Sequence, residues 1–495
     1  MSARTDAPTR FPYLRQDVAA SLVVFLVALP LCVGVAVASG VPAELGLVTG
    51  IVGGLVTGLL PGSSLQVSGP AAGLTVLVFG AVDAYGLPAL GVIVLATGLV
   101  QLALGALRLG RWFRAISLAV VEGMLAGIGL VLIAGQLYAA AGQQAPASGV
   151  DKITGLPGAA LDAAGSTAAL TSLALGAGTV AVLVLWKRLP GPARAVPGAL
   201  AAVALATAAT SLLGLSVATV EVSGLLAAVQ PPGADAFGEL ASPAALGTIA
   251  AFALIASAES LFSAAAVDRL HTGPRTEYDK ELVAQGAGNT VCGLLGALPM
   301  TAVIVRSSAN VAAGARTKAS RVLHGVWLLL FAALMPSVLA LIPLPALAGL
   351  LIHAGWKLIP FRGLAVLWRG HRGEALILVV TAVSIVAVNM FEGVLIGLAL
   401  SVAKTAWQTS HLRLDVVDKG AGPVQAHLSG NATFLRLPKL LESLEALPPD
   451  RPVELDLSGL HHLDHACRTA LENWAERHGA SGTATVKVTE PAGAG

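Results

Sequence analysis

Ser68-Gly69-Pro70-Ala71-Ala72-Gly73-Leu74-Thr75-Val76-Leu77-Val78-Phe79-Gly80-Ala81-Val82 opens on a Gly-Pro break and stays apolar only over Ala71–Val82. A helix that crosses a bilayer needs about 20 apolar residues, so this stretch is too short to span. A second one lies far along the chain, where Ala297-Leu298-Pro299 precedes the apolar run Thr301–Ala313. Longer apolar segments surround both: Val18–Ser39, Glu44–Leu60, Leu87–Leu107, Ile116–Ala140, Ala168–Trp186, Val196–Leu213 and Ala244–Val267. The series continues with Glu281–Leu298, Val322–Leu341, Ala346–Ile359, Glu374–Asn389 and Phe391–Trp407. Counting the short stretches gives fourteen segments, with the short ones third and tenth. The tenth is the third of a second seven. Seven is odd, so the second copy is inverted in the membrane.

Composition agrees with a polytopic membrane protein. The 495 residues are 55% hydrophobic and only 12% charged, with a mean hydropathy of +0.79, whereas soluble domains carry roughly 25% charged residues. A net charge of +2 speaks against a disordered or nucleic-acid-binding chain. Cys32, Cys292 and Cys467 form no CxxC pair, disulfide framework or zinc site, and the first two read as small core residues. The 56 glycines fit close packing of membrane helices. Met1–Asp17 lacks a signal-peptide layout, so the first apolar segment is expected to be retained.

Charge sets the orientation. With the N-terminus inside, the inner connections carry Arg108/Arg111/Arg114, Lys187/Arg188/Arg194, Arg269/Arg275/Lys280, Arg316/Lys318/Arg321 and Arg362/Arg369/Arg372. The long outer connections, Ala141–Thr167 and Gly214–Pro243, contain Lys152 as their sole basic residue. This is the positive-inside pattern, and it holds only when both short stretches are counted. From His411 charge returns. The spacing there predicts strands at Leu412–Val417, Val424–Leu428, Val453–Leu457 and Thr483–Val488, with helices at Leu435–Leu447 and Ala466–His478. The expected organisation is a cytoplasmic segment 1–17, an all-α transmembrane domain 18–409, and a small cytoplasmic α/β domain 411–490.

The two short helices carry the chemistry. The first N–H groups of a helix lack intrahelical partners, and each start bears roughly half a positive charge. Two such starts at matching places in an inverted repeat point to a transporter's binding site, here one for an anion. The plainer reading is that Pro70 and Pro299 kink ordinary helices. Arg306 lies five residues beyond Thr301, or about 7.5 Å along a helix. An intramembrane arginine is a functional-site hypothesis by default. Its attraction for an anion is on the order of 4 kcal/mol at 4 Å and an effective dielectric near 20, before desolvation. It could instead be structural, pairing with a carboxylate or snorkelling inward. Glu259, with Ser263 one turn later on the same face, could carry a proton, help hold a cation, or pair with Arg306. Glu44, Asp83 and Glu122 read as structural, and His271 and His353 as interfacial or packing residues. No GxxxxGK[ST] loop, HExxH signature or cofactor motif is present, so an ATP motor or intramembrane enzyme is not expected.

Ser68–Gly73, Ala258-Glu259-Ser260-Leu261-Phe262-Ser263-Ala264 and Pro299-Met300-Thr301-Ala302-Val303-Ile304-Val305-Arg306-Ser307 resemble the corresponding segments of the sulfate permease (SulP) anion transporters. Val453-Glu454-Leu455-Asp456-Leu457-Ser458-Gly459, followed by Leu463-Asp464-His465, resembles that family's STAS domain. The resemblance implies the seven-plus-seven inverted repeat shared with uracil permease, a core domain moving against a gate domain, and a homodimer. It implies an anion held by Ala71, Ala72, Gly73, Thr301, Ala302 and Val303 with Arg306 behind, and coupling at Glu259 and Ser263. Leu31 follows Pro30 where many relatives have Gln or Glu. Sodium-coupled bicarbonate relatives have Asp and Thr at the positions of Glu259 and Ser263, which favours a proton over sodium here. Asp464 is followed by His465-Ala466-Cys467 rather than a phosphorylatable Ser. That variant is similar to members linked to carbonic anhydrase, which tilts the substrate towards bicarbonate. The resulting expectation is a secondary-active transporter of bicarbonate or sulfate in the plasma membrane, coupled to H+ or Na+. The alternative is a dicarboxylate or organic-anion symporter, or an anion channel, of the same fold.

Overall fold

Apolar segments fold as helices because backbone N–H and C=O groups in hydrocarbon must satisfy one another. The computed structural model describes residues 13–115, 117–146, 148–190, 196–222, 224–420, 422–479 and 486–489. Arg4, Arg10, Arg194 and the first three residues of the expected strand Thr483–Val488 therefore lie outside the described residues, as do the side chains of Arg114 and Lys187. The chain divides into two compact units, Met1–Gly397 and Leu398–Gly495.

The first unit begins with α1 (Leu14–Ala38), α2 (Ala43–Val52), β1 (Ser68–Pro70), α3 (Thr75–Ala106) and α4 (Leu118–Ala140). Next come α5 (Gly149–Thr154), α6 (Leu156–Ala164), α7 (Thr167–Leu185), α8 (Gly198–Leu213), α9 (Leu225–Ala228) and α10 (Pro243–Val267). Then follow α11 (Tyr278–Leu294), β2 (Met300–Ala302), α12 (Ile304–Ala312), α13 (Ala319–Leu334), α14 (Pro336–Leu339) and α15 (Leu344–Leu358). α16 (Phe361–Gly370), α17 (Arg372–Ala387) and α18 (Met390–Thr409) complete the helical series, α18 running into the second unit. Among the described residues, seven helices are long and apolar enough to cross a membrane, while 43–57, 198–213 and 319–334 are shorter apolar helices.

Several features depart from the sequence expectation. Ala71–Val82 and Leu87–Leu107 run together in α3, which breaks at Gly86 with φ 80° and ψ 165°, a conformation that glycine reaches without a Cβ clash. α12 starts three residues later than the apolar run Thr301–Ala313, because Met300–Ala302 pairs as a strand. The long connection expected to face out, Ala141–Thr167, contains α5 and α6, and the last basic connection contains α16. α3 packs on α11 backbone to backbone: a Cβ at Gly98 would lie 2.3 Å from the Thr290 nitrogen, and one at Gly293 would lie 2.2 Å from the Leu95 nitrogen. Small residues permit that approach.

The second unit carries a four-stranded sheet in the order β3 (Leu412–Val417), β4 (Val424–Ala432), β5 (Val453–Leu463), β6 (Val486–Thr489). β3 and β4 are antiparallel, whereas β4–β5 and β5–β6 are parallel. Parallel neighbours need crossovers, supplied by α19 (Leu437–Glu445) and α20 (His465–Gly479). Alternate residues Val424, Ala426, Leu428, Val453, Leu455 and Leu457 form the core face, closed by Leu440, Leu444, Leu471 and Trp474. Asp464 caps α20, its Oδ1 accepting the Cys467 N–H at 2.8 Å.

Cys467 is buried beneath that cap, and burial, with Asp464 adding, pushes its thiol up to about 12. The native protein at pH 8 is therefore expected to keep Cys467 unalkylated by iodoacetamide until denaturant is added, as read by peptide mass mapping. Equal labelling before and after denaturation would overturn this. Because folding favours the neutral thiol, its stabilising contribution is intact below the ordinary thiol value of 9.0 and is lost as pH rises from there towards about 12.

Candidate functional site

β1 and β2 pair antiparallel, with Ser68 opposite Ala302, Gly69 opposite Thr301 and Pro70 opposite Met300. The Val303 N–H extends the ladder to the Val67 carbonyl at 2.9 Å. β1 leads into a 3-10 turn, Ala72–Leu74, and then α3; β2 leads into α12. Two helix starts thus meet at one strand crossing, and neither is capped by a side chain. Their leading N–H groups keep their affinity for negative charge.

Polar side chains buried on four helices, α3, α10, α11 and α12, hold the crossing in place. Asn289 on α11 acts as a strand mimic: its Nδ2 donates to the Met300 carbonyl at 3.1 Å and its Oδ1 accepts the Met300 N–H at 2.7 Å. Gln101 on α3 fixes Asn289 by accepting from Nδ2 at 2.7 Å. Ser260 on α10 accepts the Ala302 N–H at 3.2 Å, and Gln285 on α11 donates to the Ser68 hydroxyl at 2.7 Å. On α12, Ser307 accepts the Val67 N–H at 2.9 Å. The segment leading into β1 is pinned as well. Glu281 accepts the Ser63 N–H at 2.7 Å, and Arg321 donates to the carbonyls of Gly58 and Leu60, each at 2.9 Å.

Arg306 is fully buried, at 0% exposure. Its Nη2 donates to the Pro70 carbonyl at 3.3 Å, and the Cys32 thiol on α1 lies within its reach. Its Nε and Nη1 have no hydrogen-bond partner among the described residues. The guanidinium lies so close to the strand that a Cβ at Gly69 would be 2.2 Å from Nη1. Glu259 occupies a different corner. It is partly buried, has the Thr301 side chain beside it, and faces Gly73, where a Cβ would lie 2.8 Å from its Oε1. Its Oε2 has no partner.

The structure therefore brings Glu259, Thr301 and Gly73 together, and places Arg306 against Gly69 and Pro70. Ala71 and Ala302 are buried, while Ala72 and Val303 are partly exposed at the two starts. No ion pair joins Glu259 to Arg306 within 4.0 Å among the described residues. Ser263 is buried one turn along α10, with no hydrogen bond to Glu259 among the described residues. Glu44 accepts the Gly224 N–H at 3.1 Å, and Asp83 is exposed.

Gln101, Gln285 and Asn289 stand outside the motifs quoted above, and Ser260 and Ser307 lie within them without an assigned role. Their signal was polarity inside segments otherwise read as apolar, which is expensive without partners.

The geometry has counterparts among known proteins. Residues 14–381 match the Sulfate permease family. The putative sulfate transporter YvdB of Bacillus subtilis is 29% identical, covering 78% of this chain and 72% of the relative. The bicarbonate transporter BicA of Picosynechococcus sp. is 26% identical, covering 94% and 87%. Among solved structures, the transmembrane domain of a cyanobacterium bicarbonate transporter BicA superposes with a TM-score of 0.68 at 25% identity, covering 80% of this chain and 98% of that one. The overall structure of SLC26A9 superposes at 0.74 with 17% identity, covering 96% and 84%.

Proposed function

Because this chain belongs to the sulfate permease family, we propose that its paired helix starts hold bicarbonate or sulfate and carry it across the plasma membrane. The family makes it a multi-pass anion transporter, not an enzyme. One observation carries the site reading: a fully buried guanidinium with two unpaired donors at the meeting of two uncapped helix starts. A buried cation without a partner is costly, and a bound anion removes that cost. The anion would lie against Ala71–Gly73 and Thr301–Val303 with Arg306 supplying charge from behind. The Ala302 and Val303 N–H groups are already bonded to Ser260 and Val67, so the direct backbone donors of the second start would be the N–H groups that open α12.

Coupling is assigned to Glu259. A proton there would neutralise the carboxylate that faces Gly73, so proton and anion binding would favour each other. Ser263, nearby on α10, would be a ligand if sodium took the proton's place. The fourteen-segment inverted repeat is supported by the strand-then-helix motif recurring at β1 and β2. In the alternating-access reading, the crossing and its polar clamps move as a core against a gate, in each protomer of a homodimer. The second unit is read as a cytoplasmic STAS-like domain, with carbonic anhydrase as a candidate functional link.

The test is uptake of labelled bicarbonate and labelled sulfate into proteoliposomes under separately imposed proton and sodium gradients. Accumulation of one anion under one gradient is expected. Passive electrogenic flux alone would overturn coupled transport in favour of a channel. Gly69→Ala gives a finer check, because its methyl would collide with the guanidinium. Its expected effect is a roughly tenfold or greater loss of uptake by a chain that still elutes as folded protein, since a displacement of about 1 Å can cost a hundredfold. Unchanged uptake would place the guanidinium outside the site.

A further inference from the structure

The second unit contains a basic cleft that anion transport does not use. It has a volume of about 220 Å³ and is lined by Arg413, Asp415, Arg436, Lys439 and Ser443 together with apolar residues of β3 and α19. Three cations face one carboxylate. Arg413 and Lys439 make no ion pair among the described residues. Arg436 lines the cleft while its Nε donates to the Ser410 carbonyl at 2.7 Å. β3 is the open edge of the sheet, so its outward backbone N–H groups add donors. Such a set suits the oxygens of a phosphate group.

The Arg436 guanidinium sits 4.4 Å over the Trp407 ring, at the end of α18. Asn431 donates to the Thr409 carbonyl at 2.8 Å and Thr433 to the Ser410 hydroxyl at 2.7 Å, so the cleft is stitched to the helix terminus. α18 is apolar and long enough to span a membrane, and Trp407 is 55% exposed, as expected of an aromatic side chain at a membrane–water interface. Leu400 and Ala403 are exposed on the same face, seven and four residues earlier. Basic residues just outside a membrane helix attract anionic headgroups.

We propose that Arg413, Arg436 and Lys439 bind the phosphate of an anionic membrane lipid whose acyl chain follows the Leu400–Trp407 face of α18. This rests on α18 being a membrane span and is independent of the anion site at β1 and β2. The test uses the full chain in liposomes containing photoactivatable phosphatidylglycerol or, separately, photoactivatable phosphatidylcholine, with cross-links mapped by peptide mass spectrometry. Phosphatidylglycerol is expected to label the 400–413 region well above phosphatidylcholine. Arg413→Gln/Lys439→Gln should cut that labelling about tenfold or more, while Lys419→Gln, outside the cleft, leaves it unchanged. Elution behaviour verifies that both variants are folded. Equal labelling by the two lipids, or full labelling of the double variant, would overturn the proposal. Complete displacement by millimolar inorganic phosphate would also overturn it, since that outcome marks a site for a soluble anion.

Discussion

Arg306→Ala is expected to raise the KM for anion uptake roughly hundredfold or to abolish saturable uptake, with Arg306→Lys retaining part of it. The field of a unit charge at an effective dielectric near 20 is worth about 4 kcal/mol at 4 Å before desolvation, and part of that survives the anion's loss of water. Lysine keeps the charge but not the fork of donors. Stability separates this role from a structural one. Removing one partner of a buried ion pair destabilises a protein by about 3–5 kcal/mol. Among the described residues Arg306 has no carboxylate within 4.0 Å and two of its nitrogens are unsatisfied, so Arg306→Met is expected to leave the thermal midpoint unchanged or higher while losing transport. A sharp fall in the midpoint, or an unchanged KM in Arg306→Ala, would show that the guanidinium is structural.

Glu259→Gln should abolish accumulation driven by a pH gradient while downhill anion exchange continues. Glutamine keeps the shape and the polarity beside Thr301, but it cannot take up a proton. Coupling energies between two ligands correspond to about 5- to 150-fold in affinity, so at least a fivefold fall in the accumulation ratio is expected. The same comparison at several external pH values should show uptake by the wild type falling as pH rises and uptake by Glu259→Gln nearly flat. Full pH-driven accumulation by Glu259→Gln would remove Glu259 from coupling and turn attention to sodium. Glu259 and Arg306 do not pair in the structure, so the two variants test separate functions.

The architecture was legible where it depends on local chemistry. Apolar length marked the helices, the breaks at Pro70 and Pro299 marked where α3 and α12 follow short strands, and the return of charge after His411 marked the α/β unit. Arg306 and Glu259 stood out because charge in an apolar segment is costly. Other features were hidden. β1 and β2 are three residues each, too short to show alternation, and each exists only because the other lies beside it. α16 is a short helix within a stretch rich in basic residues, which read as a connection.

By itself the sequence determined which segments are apolar, where they break, which connections gather the basic residues, and which charges sit where water does not. These follow from transfer energies and backbone preferences that act over a few residues. Only the tertiary structure decided that Gly69 and Thr301, 232 positions apart by subtraction of their numbers, lie opposite each other. It also decided that Asn289 clamps Met300, that Glu259 turns to Gly73 rather than to Arg306, and that Arg306 is left with donors to spare. Those outcomes depend on which buried polar group reaches which partner once the helices have packed. That choice is made by geometry across the whole bundle, and no spacing along the chain encodes it.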